Sequence, residues 1–430
     1  MKYSADLLIV HAAQLLTLAG ENDAPRTGAG MADVGLVVDG AVAAGDGVIV
    51  ASGPTVDVMD AVTPTPDCVV VDAAGLVVLP GFVDAHTHLV YAGSRAGEFE
   101  MRLLGASYQD IARRGGGILA TMHATRAAGE EELVALGRRR LDAMLAHGTT
   151  TAEAKSGYGL TVDDELKCLR VINRLTATHD LDLIPTFLGA HAVPPEYAGD
   201  ADAYVQLIID EMLPAVIDED LAEFCDVFCE AGAFSPEQSR TILVAARDAG
   251  LEGKLHADEL SDLGGAALAA EVEAISADHL LMASDDGLRT MAAAGTMAVL
   301  LPGTAFFLGL GYAPAGRMLD AGVAIALGTD FNPGTSPTYS MAMVVALACV
   351  GMKLTPAQAV VGATINAAHA LAVAEEVGSL ETGKAADLIV LDIADYRELP
   401  MHFGVNPVDT VIKRGRIVYR AGRARVGEGS

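Results

Sequence analysis

Short apolar runs separated by Gly, Asp and Pro open the chain: Leu7-Leu8-Ile9-Val10, Leu36-Val37-Val38, Val48-Ile49-Val50 and Val69-Val70-Val71. Runs of this length between turn formers predict short antiparallel strands. The same texture returns at 387–392, 408–412 and 416–419. Two strand-rich ends around one long middle predict a small β-sandwich domain built from both termini, over 1–78 and 378–430. The stretch 377–387 is then the connection back into it.

The middle, 79–377, has a different rhythm. Apolar runs begin near Val77, Thr149, Leu183, Glu223, Gly253, Ala274, Met297 and Val323, and amphipathic stretches at 130–146, 163–176, 236–249, 284–294 and 314–321 lie between them. Alternation of this kind predicts β/α units on a parallel sheet. Eight units close into an α/β fold of the (β/α)8 TIM-like barrel type, whose chemistry sits where the strands end.

The first barrel strand is expected to run from Val77 through Val83 and to carry His86 and His88. Strand side chains alternate in direction, so the two imidazoles share a face and form a chelate suited to zinc or iron. Taken alone, the pair reads equally as two surface histidines. The other predicted strand ends add Glu153-Ala154-Lys155, His191, Glu230, His256-Ala257-Asp258-Glu259, Asp278-His279, Pro302-Gly303-Thr304 and Gly328-Thr329-Asp330. Five of the eleven histidines therefore cap barrel strands. The other six fall on helices, in turns or in the terminal segments.

Composition narrows the partners. A formal charge of −29 excludes nucleic acid and anionic membranes as natural targets. It also means that an anionic substrate needs a local group of arginines. No apolar run reaches the roughly 18 residues of a membrane span. Met1-Lys2-Tyr3-Ser4-Ala5-Asp6 lacks the pattern of a secretory signal. Cys68, Cys168, Cys225, Cys229 and Cys349 are an odd, scattered set, which fits a reducing cytoplasm better than a disulfide framework. Cys225 and Cys229 flank a predicted strand and read as core.

With His-x-His after the first strand, His after the fifth and sixth and Asp after the eighth, the chain resembles the amidohydrolase superfamily. The stretches His88–Phe99, Arg114–Ile118, Lys155–Leu160, Phe187–His191, His256–Glu259 and Asp330–Gly334 are similar to those of the imidazolonepropionase family within it. That resemblance implies a metal-dependent ring hydrolase of histidine degradation, acting on 4-imidazolone-5-propanoate. Many superfamily members bridge two metals with a carboxylated lysine after strand four. Here that place holds Glu230, so a single zinc or iron, Zn2+ or Fe2+/Fe3+, is expected on His86, His88, His256 and Asp330.

The resemblance further implies Asp330 as the proton carrier and Glu259 and His279 as groups beside the ring. It assigns Arg95 and Tyr158 to the propionate arm, with Tyr108 and His191 nearby, and Asn332, Gly334 and Thr335 to the ring and the new carboxylate. Plainer roles stay open: Asp330 as a helix N-cap, Glu259 as the start of the following helix, His279 as a residue that only orients Asp330. Arg102, Arg113 and Arg114 read as solvated helix charges. Gly115–Gly117 lacks the Lys-Ser/Thr ending of a phosphate loop and reads as a loop beside the site. A small anionic substrate and a homodimer are the implied partners. The competing readings are a purine or pyrimidine deaminase on the same barrel, and a non-catalytic scaffold that has lost its metal.

Overall fold

The computed structural model describes residues 2–20, 24–106 and 115–422. Eight parallel strands form one sheet in chain order: Phe82–Asp84, Thr149–Lys155, Asp182–Ala190, Phe224–Cys229, Glu252–Ala257, Ser276–His279, Met297–Leu300 and Ile325–Leu327. Most of their residues are buried, as expected of strands covered on both faces. Helices return the chain between them. Pro236–Asp248, for example, starts on a capping box in which Ser235 and Gln238 each accept from the other's backbone N–H.

The ends of this sheet meet just beyond strand eight. Thr87 forms a parallel bridge with Phe331, His86 carbonyl accepts from Asp330 N–H at 2.9 Å, and Phe331 carbonyl accepts from His88 N–H at 2.9 Å. Asp84 adds a side-chain clasp, accepting from the N–H and hydroxyl of Thr329 at 2.8 and 2.6 Å. Closure therefore falls at the mouth of the barrel, among the residues of the site.

The second eight-stranded sheet takes strands from both ends of the chain: Tyr3–Leu16, Leu36–Gly45, Val48–Pro54, Val62–Asp72, Val77–Pro80, Leu388–Leu391, Val408–Lys413 and Arg416–Arg420. Leu7, Ile9, Leu15, Val42, Ile49, Val78, Leu388, Val390 and Ile412 share one buried cluster, the interior of a small sandwich. Helix Thr55–Ala61 covers a second cluster on Ala5, Leu8, Ala41 and Val62. Lys413 ties this sheet to the third barrel strand through Asp182, 2.7 Å away.

The apolar run from Val77 to Val83 departs from the single strand expected of it. Val77–Pro80 pairs with Leu388–Leu391 in the terminal sheet, and only Phe82–Asp84 enters the barrel. The switch occurs at Pro80-Gly81. Pro80 has no N–H to donate, and a Cβ on Gly81 would collide with the Thr150 side chain. The next two N–H groups go to different sheets: Gly81 donates to Asp387 and Phe82 to Gly148.

Candidate metal centre

His86 and His88 emerge from strand one, His256 lies on strand five, and Asp330 follows strand eight in a left-handed conformation, φ 51°. The four converge. His86 Nε2 and His88 Nε2 are 3.2 Å apart, and His88 Nε2 and His256 Nε2 are 3.4 Å apart. Asp330 Oδ1 lies 3.6 Å from His86 Nε2 and 3.5 Å from His88 Nε2. All four side chains are buried.

The other ring nitrogens decide what these contacts mean. His86 Nδ1 points at Asp278 Oδ2, 2.6 Å away, and His256 Nδ1 lies 2.9 Å from Asp226 Oδ2. A carboxylate can only accept, so the Nδ1 of His86 carries the proton and its Nε2 presents a lone pair, and the close Asp226 carboxylate favours the same tautomer at His256. Lone pairs facing one another at this range in a buried site repel unless a cation lies between them. A tetrahedral centre with bonds of about 2.0–2.2 Å separates neighbouring ligand atoms by about 3.3–3.6 Å, the spacing found here. The donor set fits a metal ion.

Burial reinforces this. It holds His86 and His88 well below the usual imidazole range, aided by neighbouring Lys155 and His191 respectively, so they are neutral donors. For His256, burial also opposes the charged form, but Asp226 outweighs it and makes this ring more basic. Burial raises the Asp330 carboxyl to about 6 against the hydrogen bond from Thr304, and raises Glu259, beside Asp330, to about 8.

The model of the amidohydrolase family matches residues 77–418. An imidazolonepropionase of Symbiobacterium thermophilum is 54% identical over 422 residues, spanning 98% of this chain and 99% of its own. One of Geobacillus kaustophilus is 52% identical over 421 residues, spanning 98% and 99%. The chain belongs to the imidazolonepropionases of the amidohydrolase family. Solved structures of similar fold include a zinc-bound adenosine deaminase from Xanthomonas campestris, with TM-score 0.70, 20% identity, and 97% and 93% of the two chains covered. A triazine hydrolase variant has TM-score 0.74 at 17% identity, with 98% and 96% covered. At these identities the likeness is one of fold.

Around the metal centre of this imidazolonepropionase-family chain, His191 stacks on His88 with ring centroids 5.0 Å apart, and its Nδ1–H donates to Gly157 carbonyl at 3.0 Å. Tyr158 is buried 5.2 Å from His191, centroid to centroid. Arg95 lies across the mouth: its Nε donates to Glu98 at 2.8 Å, and a Cβ on Gly334 would collide with its guanidinium. Asn332 spends its amide within its own turn, accepting from Gly334 and Thr335 N–H and donating to Asp330 carbonyl and Thr335 hydroxyl, each at 2.8 Å. Tyr108, Arg113 and Arg114 lie outside the described residues.

Several plain alternatives drop out. Glu259 does not begin a helix, because the next one is Gly265–Glu271 and Asp258 serves its start, accepting from Leu263, Gly265 and Ala266 N–H. Glu259 instead faces His279, 3.6 Å from its Nδ1. Asp330 caps no helix; the next begins at Met341 on Ser340. Thr304 is the residue that donates to Asp330. Arg102 is not a merely solvated charge, since it donates to Gly334 carbonyl at 3.1 Å and lies 5.0 Å over the Phe307 ring.

Glu230, at the place of the bridging lysine in two-metal relatives, turns away from the histidines. It accepts from Leu260 and Ser261 N–H at 2.8 and 3.2 Å and from Ser261 hydroxyl, pinning the loop that bears Glu259. Glu165 does the same for the Tyr158 loop, accepting from Gly157, Gly159 and Leu160 N–H. Of the carboxylates beside His256 and His86, Asp226 carries no expectation from the sequence and Asp278 is expected only as a strand end without a role. Their signal is a lone acid within an apolar strand, as in Phe224-Cys225-Asp226-Val227-Phe228.

Proposed function

We infer that the protein hydrolyses the ring carbonyl–nitrogen bond of 4-imidazolone-5-propanoate to give N-formimidoyl-L-glutamate, using one zinc or iron per chain. Near-full-length identity of about half to imidazolonepropionases carries this reading, and the four converging ligands accord with it. His86, His88, His256 and Asp330 hold the metal. When bound, it supplies the Lewis acidity that lets water lose a proton near neutral pH. Water oxygen attacks the ring carbonyl carbon, the carbon–nitrogen bond breaks, and the nitrogen leaves with a proton.

Asp330, within reach of both the metal and its water, accepts the water's proton and passes it to the leaving nitrogen. Glu259 steadies the ring nitrogen, and His279 donates to the carbonyl oxygen as charge gathers there. Arg95 takes the propionate carboxylate in its planar fork, with Tyr158 and His191 alongside; Tyr108, outside the described residues, is a further candidate for the same arm. Asn332, Gly334 and Thr335 border the ring and the new carboxylate. Glu98 occupies Arg95 Nε and leaves the terminal nitrogens for the substrate.

The five cysteines are unpaired, as a reducing cytoplasm requires, and a homodimer is the assembly to look for by light scattering. The deciding experiment incubates metal-loaded protein with imidazolone propanoate and detects formimidoyl-glutamate, beside a panel of other cyclic amides and aminopurines. Turnover of the panel without turnover of imidazolone propanoate overturns the assignment.

A further inference from the structure

Beneath the metal centre the barrel interior holds an ionic group that no step above uses. Glu153, Lys155, Asp226, Lys254 and Asp278 come from strands two, four, five and six, and all are fully buried. Lys155 Nζ lies 2.7 Å from Asp226 Oδ2, 2.8 Å from Glu153 Oε2 and 3.7 Å from Asp278 Oδ2. The two aspartate oxygens it reaches are the ones that receive the histidines: Asp226 Oδ2 faces His256 Nδ1, and Asp278 Oδ2 faces His86 Nδ1. One ammonium thus ties together two separate carboxylate–histidine pairs.

Buried ions are held only where partners compensate for lost water. Three carboxylates this close repel each other unless a cation lies among them, and Lys155 is central to all three. Without it, the aspartates would separate or take up protons, and either response frees the rings of His86 and His256 to turn. Lys254 is differently engaged. It sits 3.4 Å from Glu153, donates to Ala370 carbonyl at 3.1 Å, and lies 5.1 Å from the Phe224 ring centroid.

We propose that Lys155 is a positioning residue for the metal site: its ammonium, hydrogen-bonded to Asp226 and Glu153 and 3.7 Å from Asp278, holds together the carboxylates that aim His256 and His86 at the metal. This rests on the reading of His86, His88, His256 and Asp330 as ligands.

The test measures zinc affinity by chelator competition on whole, folded protein, with the ring-nitrogen 15N shifts of His86 and His256 recorded in the metal-free form. K155M is expected to bind zinc about 10- to 100-fold more weakly and to lose the fixed Nδ1–H tautomer at both rings. K254M, equally buried and equally charged but hydrogen-bonded to neither aspartate, should weaken zinc binding much less than K155M, although its charge also acts on Asp278. K155M with wild-type zinc affinity overturns the proposal, as does an equal loss in K254M. If K155M does not fold, K155Q keeps a donor without the charge, and D226N and D278N probe the two arms; unchanged affinity in both aspartate variants overturns it too. Wild-type protein that takes up no zinc overturns the ligand assignment itself, a result distinct from any difference between variants.

Discussion

Arg95 shows how much one side chain has to do in a strongly acidic protein. In the proposed role its guanidinium must outweigh an overall charge of −29 at one spot, where it contacts Glu98 and the bare Gly334 backbone. A charged hydrogen bond contributes about 1.5–3 kcal/mol, so Arg95→Ala should raise KM for imidazolone propanoate about 10- to 100-fold with a smaller change in kcat. Arg95→Lys keeps the charge but loses the fork, and should raise it less. Equal, small effects in steady-state kinetics would remove Arg95 from substrate binding. Neighbouring acids show the same dependence on surroundings: Asp258 serves a helix start, while Glu259, next in sequence, is pushed up to about 8 and faces His279.

At the scale of elements, the barrel seam and the site are one feature. Backbone hydrogen bonds between the ends of strands one and eight set His86, His88 and Asp330 against each other, so closing the barrel assembles most of the donor set. Asp258, His279 and Asp330 on the rim hold left-handed backbone, as several residues elsewhere in the chain also do. The loop after strand five depends on Glu230. Glu230→Gln places an amide against N–H groups that need an acceptor, which should cost about 1–3 kcal/mol of stability, read from urea unfolding. It should lower kcat by freeing Glu259 while zinc content stays at the wild-type level. A variant that loses its metal instead would make Glu230 part of the metal site.

Across the whole molecule, a metal on the proposed ligands would act as a cross-link. Its donors come from the first, fifth and eighth strands, so a bound ion joins both sides of the seam to the middle of the sheet. A ligand bound only by the folded state, present at a thousandfold excess over its Kd, adds about 4 kcal/mol of stability. Chelation should therefore lower Tm clearly, and zinc or iron should restore it; an unchanged Tm after removal verified by elemental analysis would refute the cross-link. The terminal sheet is a second such device, joined by Leu388–Leu391 beside Val77–Pro80 so that the two chain ends fold together.

The chain alone determined its alternation of strands and helices, because apolar spacing of 2 or 3.6 is a local property. It also determined which residue types stand at strand ends: His86, His88, His256 and Asp330 stand out because polar side chains interrupt apolar runs there. The tertiary structure decided what each polar group does. Val77–Pro80 went to one sheet and Phe82–Asp84 to the other, Glu230 became an anchor, and Asp226 and Asp278 became the supports of two rings. Those roles depend on partners far away along the chain, such as Asp84 and Thr329, 245 residues apart. Burial makes the role of a charge a matter of which distant donor reaches it, and that choice is made only when the barrel closes.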